Sequence, residues 1–178
     1  VVVHGAELVG DGLTETVGAL EDLLNQHLLV VLGGACLDND QYIALGKAFG
    51  ELEDFASINA SGHTLAISNV AMDGQIRAAD DPMRANISAD ALWHTDHTYM
   101  VRRARYSFLS AEIVPASGGD TLYANTRAAY DDLPDDMKRR IDGLVALHSI
   151  VYSRSLVGAA FGNEELREKL HPVPQPLV

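Results

Sequence analysis

The chain has 178 residues, and its 13 Lys and Arg against 25 Asp and Glu give a formal charge of −12 at pH 7. An acidic chain repels phosphate backbones, and no apolar run approaches the ~20 residues that span a bilayer, so we expect neither nucleic acid nor membrane as a partner. The single cysteine, Cys36, excludes an internal disulfide and a cysteine-based zinc cluster, which makes a reducing, cytoplasmic setting the default expectation. The length suits a single domain over residues 1–178.

The first fifty residues are predicted to contain two strands and two helices. Residues 1–8 are strand-like, and 28–34 is a short apolar run ending in glycines that predicts a buried strand. Apolar residues at helical spacing predict a helix over 14–27. Asp38, followed three residues later by Gln41, forms a capping-box pattern that predicts the start of a second helix.

The remainder of the chain is predicted to be mainly β. Strand patterns occupy residues 64–70, 91–100, 106–115, 120–125 and 147–153. Residues 72–90 are polar with weak periodicity, which indicates a long loop. One helix is predicted near Pro134 and another over 162–170 with Asn163 as its N-cap. Because this order does not alternate as βαβ units do, we expect an antiparallel sandwich or barrel with flanking helices.

The segment WHTDHT, residues 93–98, carries the strongest chemical signal. Side chains two residues apart on a strand point to the same face, so His94 and Asp96 can converge on one point. An imidazole nitrogen and a carboxylate oxygen are two of the three ligands of a 2-His-1-carboxylate site, which leaves open positions on Fe(II). His-x-Asp alone is common by chance, so a surface histidine beside an exposed aspartate is the competing interpretation.

Ordered motifs around this segment resemble the taurine and 2,4-dichlorophenoxyacetate dioxygenase family of Fe(II)/2-oxoglutarate oxygenases. They are FGEL (49–52), ISNV (67–70), WHTDHTY (93–99), FLSAEIVPASGGDT (108–121), AAYDDLP (128–134) and HSIVYSRS (148–155). ISNV and HSIVYSRS look closer to the aryloxyalkanoate-degrading branch than to the taurine branch. The resemblance implies a double-stranded β-helix, or jelly roll, that uses Fe(II), 2-oxoglutarate and O₂.

The resemblance also implies roles for individual residues. His94 and Asp96 match the first two iron ligands, and Thr121 matches the threonine that hydrogen-bonds the 2-oxoglutarate carboxylate. Asp90 stands where many relatives carry an asparagine that touches the co-substrate. A carboxylate there would repel an anion, so Asp90 turns away, is protonated, or lies on a shifted loop.

Three residues are candidates for contact with the substrate. Phe55 and Ile58 follow FGEL at the offsets where the taurine branch places polar substrate-binding residues. Their apolar side chains favour a substrate with an apolar or aromatic body, although ordinary core residues would give the same pattern. Asn69, in ISNV, is a candidate for the same pocket or a strand asparagine that satisfies a backbone group.

The family's third iron ligand and its arginine for 2-oxoglutarate have no match in this sequence. His148 is followed by Arg154 too closely, and His171 has only seven residues after it. The C-terminal half of the jelly roll is therefore expected to be absent from this chain. The chain is then either a piece of a full-length oxygenase or a real truncation, which would need a homo-oligomer to cover its open sheet edges.

The sequence thus predicts an Fe(II)- and 2-oxoglutarate-dependent dioxygenase that hydroxylates or cleaves a small anionic substrate, such as an aryloxyalkanoate or a sulfonate. The alternative is a truncated, non-catalytic jelly-roll module that binds or assembles. A zinc hydrolase using His94 and His97 is a third possibility, but a regular strand would put His97 on the wrong face.

Overall fold

Two compact units make up the structure, which is a computed structural model. It describes residues 1–54, 62–71, 73–159 and 162–178. The first unit comprises Val1–Leu65 and Ile113–Asn125, and the second comprises Ala66–Glu112 and Thr126–Val178. No helix in these described ranges is both long and apolar enough to cross a membrane.

The first unit begins with a strand–helix–strand arrangement. β1 (Val2–His4) pairs in parallel with β2 (Val31–Gly33), and α1 (Leu13–His27) connects them. The expectation of purely antiparallel pairing is therefore wrong for these strands, because the helix supplies the crossover that a parallel pair requires. β2 is also less buried than predicted, since Val31 is exposed.

The capping box predicted for the second helix is present. Asp38 Oδ1 accepts a hydrogen bond from the Gln41 amide at 2.9 Å, and Gln41 Oε1 accepts one from the Asp38 amide at 3.0 Å. These bonds satisfy two amides at the start of α2 (Asn39–Phe49), which ends at Gly50 with φ of 145°. Helices α1 and α2 contact each other. Among the described residues of this unit, the buried apolar ones are Leu8, Val17, Leu20 and Leu45.

The second unit combines short helices with an antiparallel strand pair. Its helices are α3 (Pro82–Ala89), α4 (Thr126–Asp131), α5 (Asp135–Ile141), α6 (Ile150–Ser155) and α7 (Glu164–Lys169), and its strands are β3 (Val145–His148) and β4 (Val173–Pro176). The strands pair from Val145↔Pro176 to His148↔Val173, and α3 packs against α6. The predicted helix after Pro134 is confirmed. The predicted cap at Asn163 is confirmed too, since its Oδ1 accepts from the Leu166 amide at 2.8 Å.

Four of the strand predictions are wrong. Residues 64–70, 91–100, 106–115 and 120–125 form turns and irregular segments, apart from one bridge between Val70 and Ile76. A strand needs a neighbour to satisfy its backbone donors and acceptors, and in the described part of the chain these segments have no strand partner. Helices outnumber strands among the described residues, so a mainly β architecture is not evident there.

Two other segments differ from their predictions because side chains cap helices locally. Residues 147–153 are a strand only as far as His148, and α6 then begins where Ser149 Oγ accepts from the Tyr152 amide at 3.2 Å. The predicted loop over 72–90 contains α3. Asp81 Oδ1 accepts from the Met83 amide at 2.8 Å, which caps the start of that helix.

Candidate functional site

His94 and Asp96 come together in a turn. His94 Nε2 lies 3.2 Å from Asp96 Oδ1, and each side chain is about half exposed. The chain turns over residues 96–99, where His97 adopts a left-handed φ of 56° and its carbonyl accepts from the Met100 amide at 3.0 Å. The predicted convergence of the two side chains is thus present, although the strand that was expected to produce it is not.

A backbone carbonyl orients the His94 ring. His94 Nδ1 lies 2.6 Å from the Leu92 carbonyl oxygen. A carbonyl oxygen can only accept, so Nδ1 carries the hydrogen and Nε2 is the atom directed at Asp96. Metal-binding histidines are held in this way, with the second ring nitrogen donating to a carbonyl or carboxylate.

The pair has the donor chemistry of a metal site. A carboxylate oxygen is also only an acceptor, so the lone pairs of His94 Nε2 and Asp96 Oδ1 face each other unless a proton or a cation lies between them. Imidazole nitrogen with carboxylate oxygen suits divalent iron or manganese. The half exposure of both side chains leaves room for further ligands. These two residues therefore fit a divalent metal ion.

Among the described residues, no third ligand lies beside them. Within the described ranges, no group of three or more His, Cys, Asp or Glu side chains could hold a metal ion. The His97 ring lies beside Tyr99, with the ring centroids 5.6 Å apart. The zinc site with His97 as a ligand is therefore not formed by the described residues.

The antiparallel β3–β4 strand pair contacts the same turn. Gln175 Nε2 donates to the Thr98 carbonyl at 2.9 Å and to the Met100 carbonyl at 3.1 Å. His148 Nδ1 lies 2.8 Å from Thr98 Oγ1. Sequence reasoning missed both contacts. The one available signal was a glutamine between two prolines in the C-terminal segment.

Asp90 is paired with an arginine. Arg154 Nη2 donates to Asp90 Oδ1 at 2.8 Å, and the two side chains are 19% and 34% exposed. Asp90 directly follows α3 and Arg154 lies on α6, so the packing of these two helices brings the charges together. The sequence analysis left three alternatives for Asp90, namely that it turns away, is protonated or lies on a shifted loop. The ion pair shows that its charge is balanced by Arg154, and its place beside the co-substrate stays a prediction.

Thr121 lies exposed in the first unit. It follows Gly118 and Gly119, whose φ angles of 74° and 75° lie in the left-handed region that glycine adopts readily in turns. Its predicted strand is absent from the described residues, and its contact with 2-oxoglutarate stays a prediction.

The substrate candidates are only partly described. Asn69 is exposed, and its carbonyl accepts from the Arg77 amide at 2.8 Å. Its predicted place in a substrate pocket stays a prediction. Phe55 and Ile58 lie outside the described residues.

The sequence profile of one family, described as "Taurine catabolism dioxygenase TauD, TfdA family", matches residues 5–178. The chain belongs to this family. Two curated relatives place this TauD/TfdA member near the aryloxyalkanoate branch, as predicted. The alpha-ketoglutarate-dependent 2,4-dichlorophenoxyacetate dioxygenase of Burkholderia sp. (strain RASC) is 39% identical over 166 residues, or 89% of this chain and 56% of the relative. The (S)-phenoxypropionate/alpha-ketoglutarate-dioxygenase of Delftia acidovorans is 42% identical over 160 residues, or 88% and 52%.

A solved structure has the same fold over this chain. The crystal structure of AAD-2 in complex with Mn(II) and N-oxalylglycine aligns with a TM-score of 0.84 and 30% identity, over 99% of this chain and 63% of that one. The TauD/TfdA chain spans about half the length of the curated relatives it matches.

Proposed function

We propose that this chain forms the iron-binding part of an Fe(II)- and 2-oxoglutarate-dependent dioxygenase that acts on a small anionic aryloxyalkanoate. The observation that carries the proposal is the 3.2 Å approach of His94 Nε2 to Asp96 Oδ1, with the His94 ring fixed through Nδ1. Membership of the TauD/TfdA family supports the same activity.

Each residue has a distinct part in the proposed reaction. Bound Fe(II) supplies oxidation of a substrate C–H bond by O₂, coupled to decarboxylation of 2-oxoglutarate to succinate and CO₂. His94 would hold the metal through Nε2 and Asp96 through a carboxylate oxygen. Thr121 donates its hydroxyl hydrogen to a carboxylate of 2-oxoglutarate, which binds the anion without adding charge. Arg154 balances Asp90, so that the co-substrate does not meet an uncompensated carboxylate.

The proposed substrate has an aromatic body and a carboxylate. Apolar Phe55 and Ile58 suit the aromatic part, and Asn69 would hydrogen-bond a polar group. The two curated relatives are named for 2,4-dichlorophenoxyacetate and (S)-phenoxypropionate, which both combine an aromatic body with a carboxylate. A sulfonate is the competing substrate class, since it also combines an organic body with an anionic group.

The proposed architecture is one jelly-roll domain to which both compact units belong. Apolar side chains that a jelly roll would cover are 70–89% exposed in the described structure, namely Trp93, Val101, Ile113 and Val114. Their exposure supports the proposal that further strands complete the apolar core. Those strands would also supply the third iron ligand. A homo-oligomer is the alternative way to cover them.

The experiment is a decarboxylation screen. The full-length oxygenase that contains this chain, which is the parent protein of all the experiments below, is purified and given Fe(II), 2-oxoglutarate and O₂ with phenoxyacetates, phenoxypropionates, taurine or alkyl sulfates, and succinate is measured. We expect phenoxy acids to stimulate succinate formation most. Iron binding without turnover for any of these acids would overturn the enzyme proposal and favour the non-catalytic binding module.

A further inference from the structure

We infer that the antiparallel β3–β4 strand pair holds the His94–Asp96 turn in its metal-binding geometry, with Gln175 and His148 as positioning residues that act through Thr98 and Met100. The inference rests on the proposed function in assigning the turn to a metal. The contacts of Gln175 and His148 are present in the structure without a metal. A metal-free measurement can therefore test them separately from the proposed function.

Gln175 makes the more extensive and more deeply buried of the two contacts. Its side chain is buried, with 6% exposure, and its amide donates both to Thr98 and to Met100. Pro174 and Pro176 flank it and offer no amide hydrogen of their own. A buried amide that bridges two carbonyls fixes the C-terminal side of the turn, because leaving those carbonyls unsatisfied costs free energy.

His148 adds a short chain of hydrogen bonds. Thr98 Oγ1 donates to the Thr95 carbonyl at 3.3 Å, so its oxygen is the acceptor for His148 Nδ1 at 2.8 Å. The chain therefore runs from His148 through Thr98 to Thr95, the residue between the two proposed ligands. This chain of hydrogen bonds reaches Thr95, in the middle of the ligand segment 94–96. Gln175 instead fixes residues 98 and 100, on the C-terminal side of that segment.

The turn needs this support because its own structure is irregular. Residues 93–95 belong to no helix or strand, and His97 sits in a left-handed conformation that non-glycine residues seldom adopt. Metal sites lose affinity when supporting contacts are removed, typically 10- to 100-fold for residues one contact away from the ligands. Gln175 and His148 act on the ligand segment through its backbone, so we expect the lower end of that range.

The experiment measures Mn(II) affinity of purified protein from the electron paramagnetic resonance signal of free Mn(II). Gln175→Leu and Thr98→Val remove two hydrogen bonds each, and His148→Leu removes one. Each variant should raise the Mn(II) dissociation constant about tenfold. Thr98→Ser and His148→Asn keep the hydroxyl and an N–H donor, so they should bind Mn(II) like the parent protein. Asn163→Ala removes the cap of α7 in the same unit and should lower stability without changing Mn(II) affinity.

A metal-free measurement separates this inference from the proposed function. The Met100 amide, which donates to the His97 carbonyl across the turn, should exchange its hydrogen with solvent slowly in the metal-free parent protein and faster in Gln175→Leu and Thr98→Val. Parent-like Mn(II) affinity and parent-like Met100 exchange in folded Gln175→Leu and Thr98→Val would overturn the inference. Failure of the parent protein to bind Mn(II) would instead overturn the metal site, and the Met100 exchange rates would still decide whether the β3–β4 strand pair holds the turn.

Discussion

Arg154 Nη2 donates to Asp90 Oδ1 at 2.8 Å across 64 residues of sequence. The pair joins α6 to the residue that follows α3, and both side chains are partly buried. An aspartate beside an anionic co-substrate would weaken its binding, and a guanidinium in contact with the carboxylate removes most of that repulsion. The proposed 2-oxoglutarate site therefore depends on a residue that the co-substrate need not touch.

Replacing Arg154 should weaken the binding of 2-oxoglutarate. In Arg154→Gln the carboxylate of Asp90 loses its partner, at a cost of about 1 kcal/mol, so the KM for 2-oxoglutarate should rise roughly fivefold. Steady-state succinate formation measures it. Asp90→Asn in the same background should restore the KM, since it removes the uncompensated charge.

The control for this prediction is Arg140→Gln, which removes one exposed positive charge from α5. It should leave the KM near the parent value. An equal rise in the control and in Arg154→Gln would mean that net charge, and not the ion pair, sets the affinity.

Asp81 should make the stability of the second unit depend on acid pH. The Met83 amide, and then Arg77, hold the pKa of Asp81 below its ordinary value of 3.8. A lowered folded-state pKa means that the carboxylate stabilises the fold fully above the unfolded pKa, and that this contribution is lost as the pH falls through the folded pKa. Urea unfolding from pH 7 down to pH 2 should therefore show the parent protein losing its advantage over Asp81→Ala only at the acid end.

The matched variant is Asp81→Asn. Its side-chain oxygen can still accept from the Met83 amide, but it carries no charge to attract Arg77. Its stability relative to Asp81→Ala should be independent of pH. A parent advantage over Asp81→Ala that stays constant to pH 2 would contradict the role given to the ionised carboxylate.

Asp38→Ala should destabilise α2 by about 1 kcal/mol, because it removes the acceptor of the Gln41 amide at the start of the helix. Thermal unfolding followed by circular dichroism measures the loss. Asp38→Asn, which retains an acceptor, should be close to the parent. Equal losses in the two variants would show that the capping bond does not account for the effect.

Helices α1, α2, α5 and α7 could be predicted because their signals are local. Asp38 with Gln41, and Asn163 with Leu166, mark helix starts within four residues, and the structure contains both caps. The strand patterns at 106–115 and 120–125 were equally clear, but a strand forms only where a partner lies beside it. Alternating apolar residues carry no information about that partner.

The candidate site likewise combines a contact that is local in sequence with contacts between distant residues. His94 and Asp96 are two positions apart, so their proximity follows from the chain itself. Arg154 lies 64 residues from Asp90, and Gln175 lies 77 residues from Thr98. No short-range pattern predicts such contacts, because they depend on how α6 and the β3–β4 strand pair pack.

The most direct test of the proposed activity is succinate formation from 2-oxoglutarate, with Fe(II) and a phenoxy acid, in the parent protein, His94→Ala and His97→Ala. We predict iron-dependent turnover in the parent, near-parent turnover in His97→Ala, and only background succinate in His94→Ala with its fold intact by circular dichroism. Parent-level turnover in His94→Ala would contradict the assignment of His94 as an iron ligand and with it the proposed site.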